Sequence, residues 1–354
     1  MSAWIRRRLP LFPLAALAAV LFVHGRYTWH GVRPPIDGYR TPFAEAGYAL
    51  RYLAGQTPDR VIASRRNGQL HLFFDGEIQV QRAESGANAG RQLAAAMRPT
   101  IDRLTAAGVQ VVPVIVPTKL SIYREELPFD LDTRSRWTTA PASGEREDPG
   151  RIHQVLAEAL PEAIDLYEPF RDFRRAFPDR RLYLPLDYHW SSLGSGVAVL
   201  EIARVLARRG LLHTAPEWLS LGARPAEPST LTDLYPLPRW FLARGREFQQ
   251  PTEAVRFVTA PVDDTRRVIL SGTSFSGGAP HDFLGQLRSV LGRQMEAFAR
   301  PNNGYAGGFL RMREVGLEFR PGDLVIWEVP LCCYGLDGPR LPAPDTLTIA
   351  VPPR

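Results

Sequence analysis

Two short segments of this chain bring together residue types that do acyl chemistry. Asp187-Tyr188-His189-Trp190 places a carboxylate two residues before an imidazole. A histidine acting as a base needs a partner on its other ring nitrogen to hold tautomer and orientation. An Asp two residues earlier on an irregular turn supplies one, because such a segment folds back locally. The second segment, Ser271-Gly272-Thr273-Ser274-Phe275-Ser276-Gly277-Gly278, follows an apolar run. A serine hydroxyl is a weak nucleophile at pH 7 and needs an adjacent base. Just past a buried strand, with glycine before it and a helix after it, it points into a cleft. Nearby backbone N–H groups, helped by the helix dipole, are then free to bind an anion. By chemistry alone, Ser274 and Ser276 both qualify as the nucleophile.

Other chemistries find little support. The remaining histidines (24, 30, 71, 153, 213 and 281) show no HxH or HExxH spacing, and no glycine run has a GxGxxG or Walker pattern. No metal or nucleotide cofactor is expected. The two cysteines, Cys332 and Cys333, are adjacent, so an ordinary disulfide between them is strained and they read as two small apolar side chains after a strand. The formal net charge is +6, and Lys119 is the sole lysine among 43 basic residues. Arginine spread along the whole chain does not form the clustered Lys/Arg footprint of a nucleic-acid surface.

The elements that must hold these residues alternate. The 354 residues, 45% hydrophobic and 23% charged, suffice for one large domain or two small ones. Residues 71–78 suggest a short strand or hairpin. Residues 88–108 carry apolar side chains at helical spacing and stop at Gly108. Residues 109–117 form a β-branched run of the kind buried in a parallel sheet, and 128–150 are polar and loop-like. A helix is expected over 151–160, a strand entering a loop at AIDLYEPF, a short strand over 180–187, and a helix over 191–210 capped by Ser191 or Ser192. After a Pro-rich excursion near 214–252, a strand is expected over 266–272, a helix over 281–292 and a last apolar strand over 322–330. Alternating strands and helices predict an α/β fold with a mainly parallel central sheet, whose active groups sit beyond the C-terminal strand ends.

The N-terminus carries its own signal. Arg6, Arg7 and Arg8 precede an uncharged run from Leu9 to Val23. A basic region before an apolar core marks export. With no small-x-small cleavage site after the run, an uncleaved signal anchor is favoured over a cleaved signal peptide. The arginines would stay cytoplasmic, placing the body in the periplasm. The expected organisation is an anchor helix over 1–30, a connector over 31–69 and a catalytic domain over 70–354.

Asp187-Tyr188-His189-Trp190-Ser191 resembles the D-x-H-W-[ST] segment of the AlgJ/AlgX family of bacterial alginate O-acetyltransferase proteins. Gly272-Thr273-Ser274-Phe275-Ser276 is similar to that family's G-T-S-[YF]-S. Val116-Pro117-Thr118-Lys119-Leu120-Ser121-Ile122-Tyr123 and Val325-Ile326-Trp327-Glu328-Val329-Pro330 resemble two further strand ends of the family, and all four segments occur in its order. The resemblance implies a three-layer SGNH-hydrolase-like domain, with Ser274 as nucleophile, His189 as base and Asp187 as its orienter. It favours Ser274 over Ser276, and the order Asp, His, Ser implies circular permutation relative to SGNH esterases. It implies an O-acetyltransferase acting on an exopolysaccharide or cell-envelope glycan without a cofactor, with a membrane-bound O-acyltransferase as acetyl donor and the inner membrane as anchor. Two other readings remain open: a carbohydrate acetylesterase with the same triad, and a non-catalytic glycan-binding or scaffold component of an export complex. For the oxyanion, the Ser274 N–H and a donor from Asn302, Asn303 or Gly304 are candidates. Lys119 is expected either to aid an acidic substrate or acyl oxygen or to form a structural ion pair, and Glu328 to pair with Lys119 or an arginine. Leu331-Cys332-Cys333-Tyr334 departs from the charged residue that often follows the family's last strand. No carbohydrate-binding domain is evident before the Pro-rich tail, as in the single-domain, membrane-anchored members.

Overall fold

The β-branched run at the centre of the sequence becomes the strand from which the sheet is built. The structure, a computed structural model, describes residues 61–66, 69–127, 147–211, 217–224, 252–258, 266–276, 281–301 and 304–333. In chain order the strands are β1 (Val61–Arg66), β2 (Gln69–Phe74), β3 (Gln110–Val116), β4 (Ile164–Asp165), β5 (Glu217–Arg224), β6 (Thr252–Val258), β7 (Val268–Gly272), β8 (Glu296–Ala299) and β9 (Leu324–Pro330). The helices are α1 (Ala83–Ala106), α2 (Lys119–Ile122), α3 (Arg151–Ala159), α4 (Tyr167–Ala176), α5 (Ser192–Arg208), α6 (Phe283–Leu291) and α7 (Gly307–Glu314). The central sheet has the order β4-β3-β9-β7-β8 with every pairing parallel.

Both faces of this sheet are covered. Alternate residues of a strand point to opposite faces, and the core divides accordingly. Val112, Val114, Leu270 and Ile326 join α4, α5 and α6 in one cluster. Val111, Ile115, Ile269 and Trp327 join α1, α3 and α7 in the other. The result is the α/β fold with a parallel sheet expected from the alternating pattern, in the three layers that the family resemblance implies. Pro113 is tolerated inside β3 because of the short neighbour. Ile115 O accepts from Leu166 N on the β4 side, and Pro113 shares that parity. Its missing N–H therefore faces the stretch below the start of β4, where no ladder bond is lost.

The topology also places a crevice. From β3 the chain crosses through α3 to β4 on one side of the sheet. From β7 it crosses through α6 to β8 on the other. Between these diverging connections, the C-terminal ends of β3, β9 and β7 open to one edge, where ligands bind in such sheets.

Several sequence expectations are corrected. Residues 180–187 do not form a strand. They form a turn held by one bridge between Tyr183 and Trp190 and by Leu184 N donating to His189 O at 3.0 Å. Pro185 lacks the donor a ladder needs, and the carbonyls here are taken by a side chain described below. The expected connector ends in β1, which pairs antiparallel with β2. Part of the excursion near 214–252 is strand β5, paired with β6. AIDLYEPF supplies only two strand residues before it turns into α4, and β8 and α7 were not anticipated. The anchor at 1–30, Asn302, Asn303, most of 128–150 and the C-terminal tail lie outside the described residues. Among the described residues no helix is long and apolar enough to cross a membrane.

Helix α5 starts where the first motif ends. Ser191 is its N-cap, accepting from Gly194 N at 3.1 Å and donating its hydroxyl to Arg181 O. Gly194 lets the helix approach the turn: a Cβ there would lie 2.0 Å from Leu182 O. We expect Gly194→Ala to cost about 1–3 kcal/mol through overpacking, and thermal unfolding followed by circular dichroism to show a melting temperature lower by roughly 5 °C. An unshifted melt would contradict this contact.

Candidate active site

The two motif segments meet where His189 faces Ser274. His189 Nε2 lies 2.9 Å from Ser274 Oγ, and His189 Nδ1 lies 2.6 Å from Asp187 Oδ1. The Asp187 carboxylate only accepts, so the Nδ1–H donates to it and the Nε2 lone pair of the neutral ring faces the serine hydroxyl. Asp187 Oδ1 also accepts from the His189 backbone N at 2.9 Å, so one carboxylate fixes both the backbone and the ring two residues on. Asp187 and His189 are buried, and Ser274 is the half-buried member facing outward. A cavity of about 660 Å³ between α4 and α5, lined in part by Phe173, Phe177 and Val197, contains none of the three.

Aromatic packing joins the segments beside this line. Trp190, fully buried, donates its indole N–H to Phe275 O at 3.0 Å, and the two rings meet edge-on at 5.4 Å. His189 packs between Tyr188 at 4.2 Å, Phe275 at 4.6 Å and His281 at 5.5 Å between ring centroids. The tryptophan after the histidine is thus a tie to the serine turn.

Ser276 is settled by its surroundings. It is 6% exposed, and its hydroxyl donates to Glu328 Oε2. A hydroxyl turned into the protein onto a carboxylate is not presented to a cleft. Gly272 makes that packing possible, since a Cβ there would lie 2.5 Å from Ser276 Oγ. Glu328 corrects a second expectation. Among the described residues it pairs with neither Lys119 nor an arginine, but accepts from Thr273 N at 3.0 Å, Thr273 Oγ1 at 2.7 Å and Ser276 Oγ. Burial pushes its carboxyl above the usual range, and these hydrogen bonds pull it back.

Lys119 corrects a third. It is 2% exposed, and its Nζ donates to the carbonyls of Leu72 (2.7 Å), Leu184 (2.8 Å), Pro185 (2.7 Å) and Asp187 (3.0 Å). An ammonium so enclosed has no donor to offer a substrate. Its work is to shape the Asp187–His189 turn from beneath. Burial lowers its pKa to about 7, against the pull of Glu77, Asp187 and Glu126. Glu77 Oε2 caps Leu120 N at 2.8 Å, and Glu126 meets His71, Arg174 and Arg181. None of these carboxylates was singled out in the sequence. The available signal was acidic residues standing in apolar stretches. Of the oxyanion candidates, Gly304 opens the 3-10 turn Gly304–Ala306 ahead of α7, while Asn302 and Asn303 are outside the described residues. Cys332 is buried, 3% exposed.

His281 was also passed over. Its ring stacks on His189 at 5.5 Å between centroids, and its own carbonyl accepts from Ser195 Oγ at 2.6 Å. Burial first, then His189, push its pKa down to about 4, so the stacked pair of imidazoles carries at most one charge near neutral pH.

Two outcomes are expected. Lys119→Met removes the donor to four carbonyls and should cost about 3 kcal/mol or more in a denaturant titration. Lys119→Arg should not restore it, because a planar fork cannot aim at carbonyls grouped around one point. For His281, the unfolded chain binds a proton near 6.5 and the folded chain only near 4, so stability rises with pH through that window and is lost on acidification. Wild type should lose up to about 3 kcal/mol from this group between pH 6.5 and 4. The variant His281→Phe should lose less, as read by melting temperature against pH.

Comparison with known proteins gives consistent results. The profile of the family described as "SGNH hydrolase-like domain, acetyltransferase AlgX" matches residues 70–331. A probable alginate O-acetylase AlgJ of Pseudomonas putida is 26% identical over 275 residues, covering 73% of this chain and 67% of that protein. One of Azotobacter vinelandii is 27% identical over 272 residues, covering 73% and 66%. This chain therefore spans about two thirds of the length of these relatives. Among solved structures, the O-acetyltransferase domain of Pseudomonas putida AlgJ superposes with a TM-score of 0.56 at 24% identity, covering 82% of this chain and 98% of that one.

Proposed function

The chain belongs to the AlgX acetyltransferase family of SGNH hydrolase-like domains, and from that premise we propose that it is a polysaccharide O-acetyltransferase working through Ser274, His189 and Asp187. The observation that carries this reading is the unbroken line from Asp187 Oδ1 through the imidazole of His189 to Ser274 Oγ, at 2.6 and 2.9 Å.

Transfer proceeds in two steps. Ser274 Oγ attacks the carbonyl carbon of a donor acetyl ester as its proton passes to His189 Nε2. The imidazolium, held by Asp187, returns that proton to the departing alcohol, leaving acetyl on Ser274. A sugar hydroxyl then gives its proton to His189 as its oxygen attacks the acyl-enzyme, and Ser274 leaves with the proton from His189. No cofactor enters either step. The acceptor is an exopolysaccharide or cell-envelope glycan. The donor is a membrane-bound O-acyltransferase partner, which suits a body held in the periplasm by the N-terminal segment. The relatives' description as alginate O-acetylases supports this substrate class.

Purified protein should release acetate from a generic acetyl ester, and Ser274→Ala should reduce this by at least about 10³-fold. Full activity in that variant would overturn the assignment of Ser274. Addition of an oligosaccharide should yield acetylated sugar by mass spectrometry. Acetate with no acetylated acceptor would point to an esterase instead.

A further inference from the structure

Glu328 stands in the middle of the last strand, in a run that is otherwise apolar, and is fully buried. A buried carboxylate without a cationic partner is costly, so its presence implies a compensating interaction. Among the described residues no lysine or arginine meets it. Ser271 of β7 pairs with Trp327 of β9, so Glu328 lies one residue beyond, level with the place where β7 ends and the serine turn begins. It projects to the same side of the sheet as Ile326, whose cluster includes Trp190, Phe275 and Phe283.

Its three donors all come from the turn that carries Ser274. The Thr273 amide can only donate, so Oε2 must accept it, together with the Ser276 hydroxyl. Oε1 takes the Thr273 hydroxyl, whose oxygen in turn accepts from Phe275 N at 3.2 Å. The residues on both sides of Ser274 are thereby fixed to one carboxylate, and the absence of a Cβ at Gly272 leaves room for the wrap: a Cβ there would lie 2.5 Å from Ser276 Oγ. We propose that Glu328 is a positioning residue for acyl transfer, gathering Thr273 and Ser276 so that the Ser274 hydroxyl is held on His189 Nε2. This rests on the reading of Ser274 as nucleophile. A second consequence follows from charge. Glu328 is near enough to interact electrostatically with His189. The groups facing His189 are Asp187 and Tyr188 on its own turn, Ser274 after β7, His281 before α6, and Glu328 from β9. Of these, Asp187 and Glu328 are the carboxylates that favour the imidazolium formed during transfer.

The test is Glu328→Gln in the full-length protein. It keeps the shape but offers one acceptor oxygen and sets an NH₂ against donors. Turnover of an acetyl ester should fall by about 10²-fold in kcat with KM within about twofold, as expected for a small misplacement of the attacking atom. Labelling of Ser274 by a fluorophosphonate probe should slow in parallel. The acid limb of the kcat/KM profile should move to lower pH, because losing a nearby negative charge makes His189 easier to deprotonate. Glu328→Asp keeps the charge but not the reach, so it should lose kcat while leaving the acid limb in place; it carries the test if the Gln variant does not fold. An active wild type with Gln and Asp variants that match it in kcat, labelling and acid limb overturns the role of Glu328 alone. A wild type that neither turns over the ester nor takes the probe at Ser274 overturns the reading of Ser274, and this proposal with it.

Discussion

A single ammonium beneath the site sets the shape on which the rest depends. Lys119 reaches from the end of β3 into a pocket of carbonyls, three of which belong to the Leu184–Asp187 segment. Backbone carbonyls that converge on one point repel each other unless a cation or several N–H donors face them, and an ammonium is both. The turn that carries Asp187 and His189 therefore closes around the N–H donors of this one side chain. This also explains why the segment leaves the sheet. Its carbonyls are engaged from below by a side chain, whereas in a strand they would be engaged laterally by a neighbour.

The serine turn is built on the opposite principle. Here a buried anion collects N–H and O–H donors: Glu328 holds Thr273 and Ser276, with Ser274 between them. A cation shapes the Asp187–His189 turn and an anion shapes the Ser274 turn. The two are locked together by Trp190 donating to Phe275 O and by hydroxyls of α5. Ser195 Oγ meets the His281 carbonyl and Gln286 Oε1, while Gln286 Nε2 meets Ser192. The small residues after the histidine motif, Ser192, Gly194 and Ser195, have a reason to be small and polar: they let α5 dock on both turns. Such satisfied networks restrict the local geometry more than apolar packing does, because each partner has a direction.

The sheet supplies what neither turn could. Parallel strands from distant parts of the chain end at one edge, and the diverging crossovers from β3 and β7 leave that edge uncovered. Asp187, His189 and Ser274 need only short turns above it. The separation of 85 positions from His189 to Ser274 is bridged by register in the sheet and by packing on α5 and α6.

Much of this was legible in the sequence, for identifiable reasons. Hydrophobic period and β-branched runs foretold β3, β7, β9 and helices α1, α3, α5 and α6, since those patterns reflect burial on one or two faces. Asp187 and His189, two residues apart, revealed their own pairing, because it is local. The serine turn was visible as a strand end, but chemistry left Ser274 and Ser276 equal and only the family resemblance favoured Ser274; in the folded chain the two hydroxyls point to different partners, His189 and Glu328. Lys119 and Glu328 were noticed as oddities of type and place, and their partners were misjudged. Charge suggests an opposite charge as partner, whereas the structure gave the cation carbonyls and the anion hydroxyls and an amide. Those partners lie 47 to 68 residues away in sequence, and the carbonyls carry no type signal, because every residue has one. The sequence by itself thus determined which residues are chemically able and which elements bear them. The tertiary structure alone decided which groups face one another, because burial removes water as the alternative partner and leaves each polar atom only what the packing brings to it.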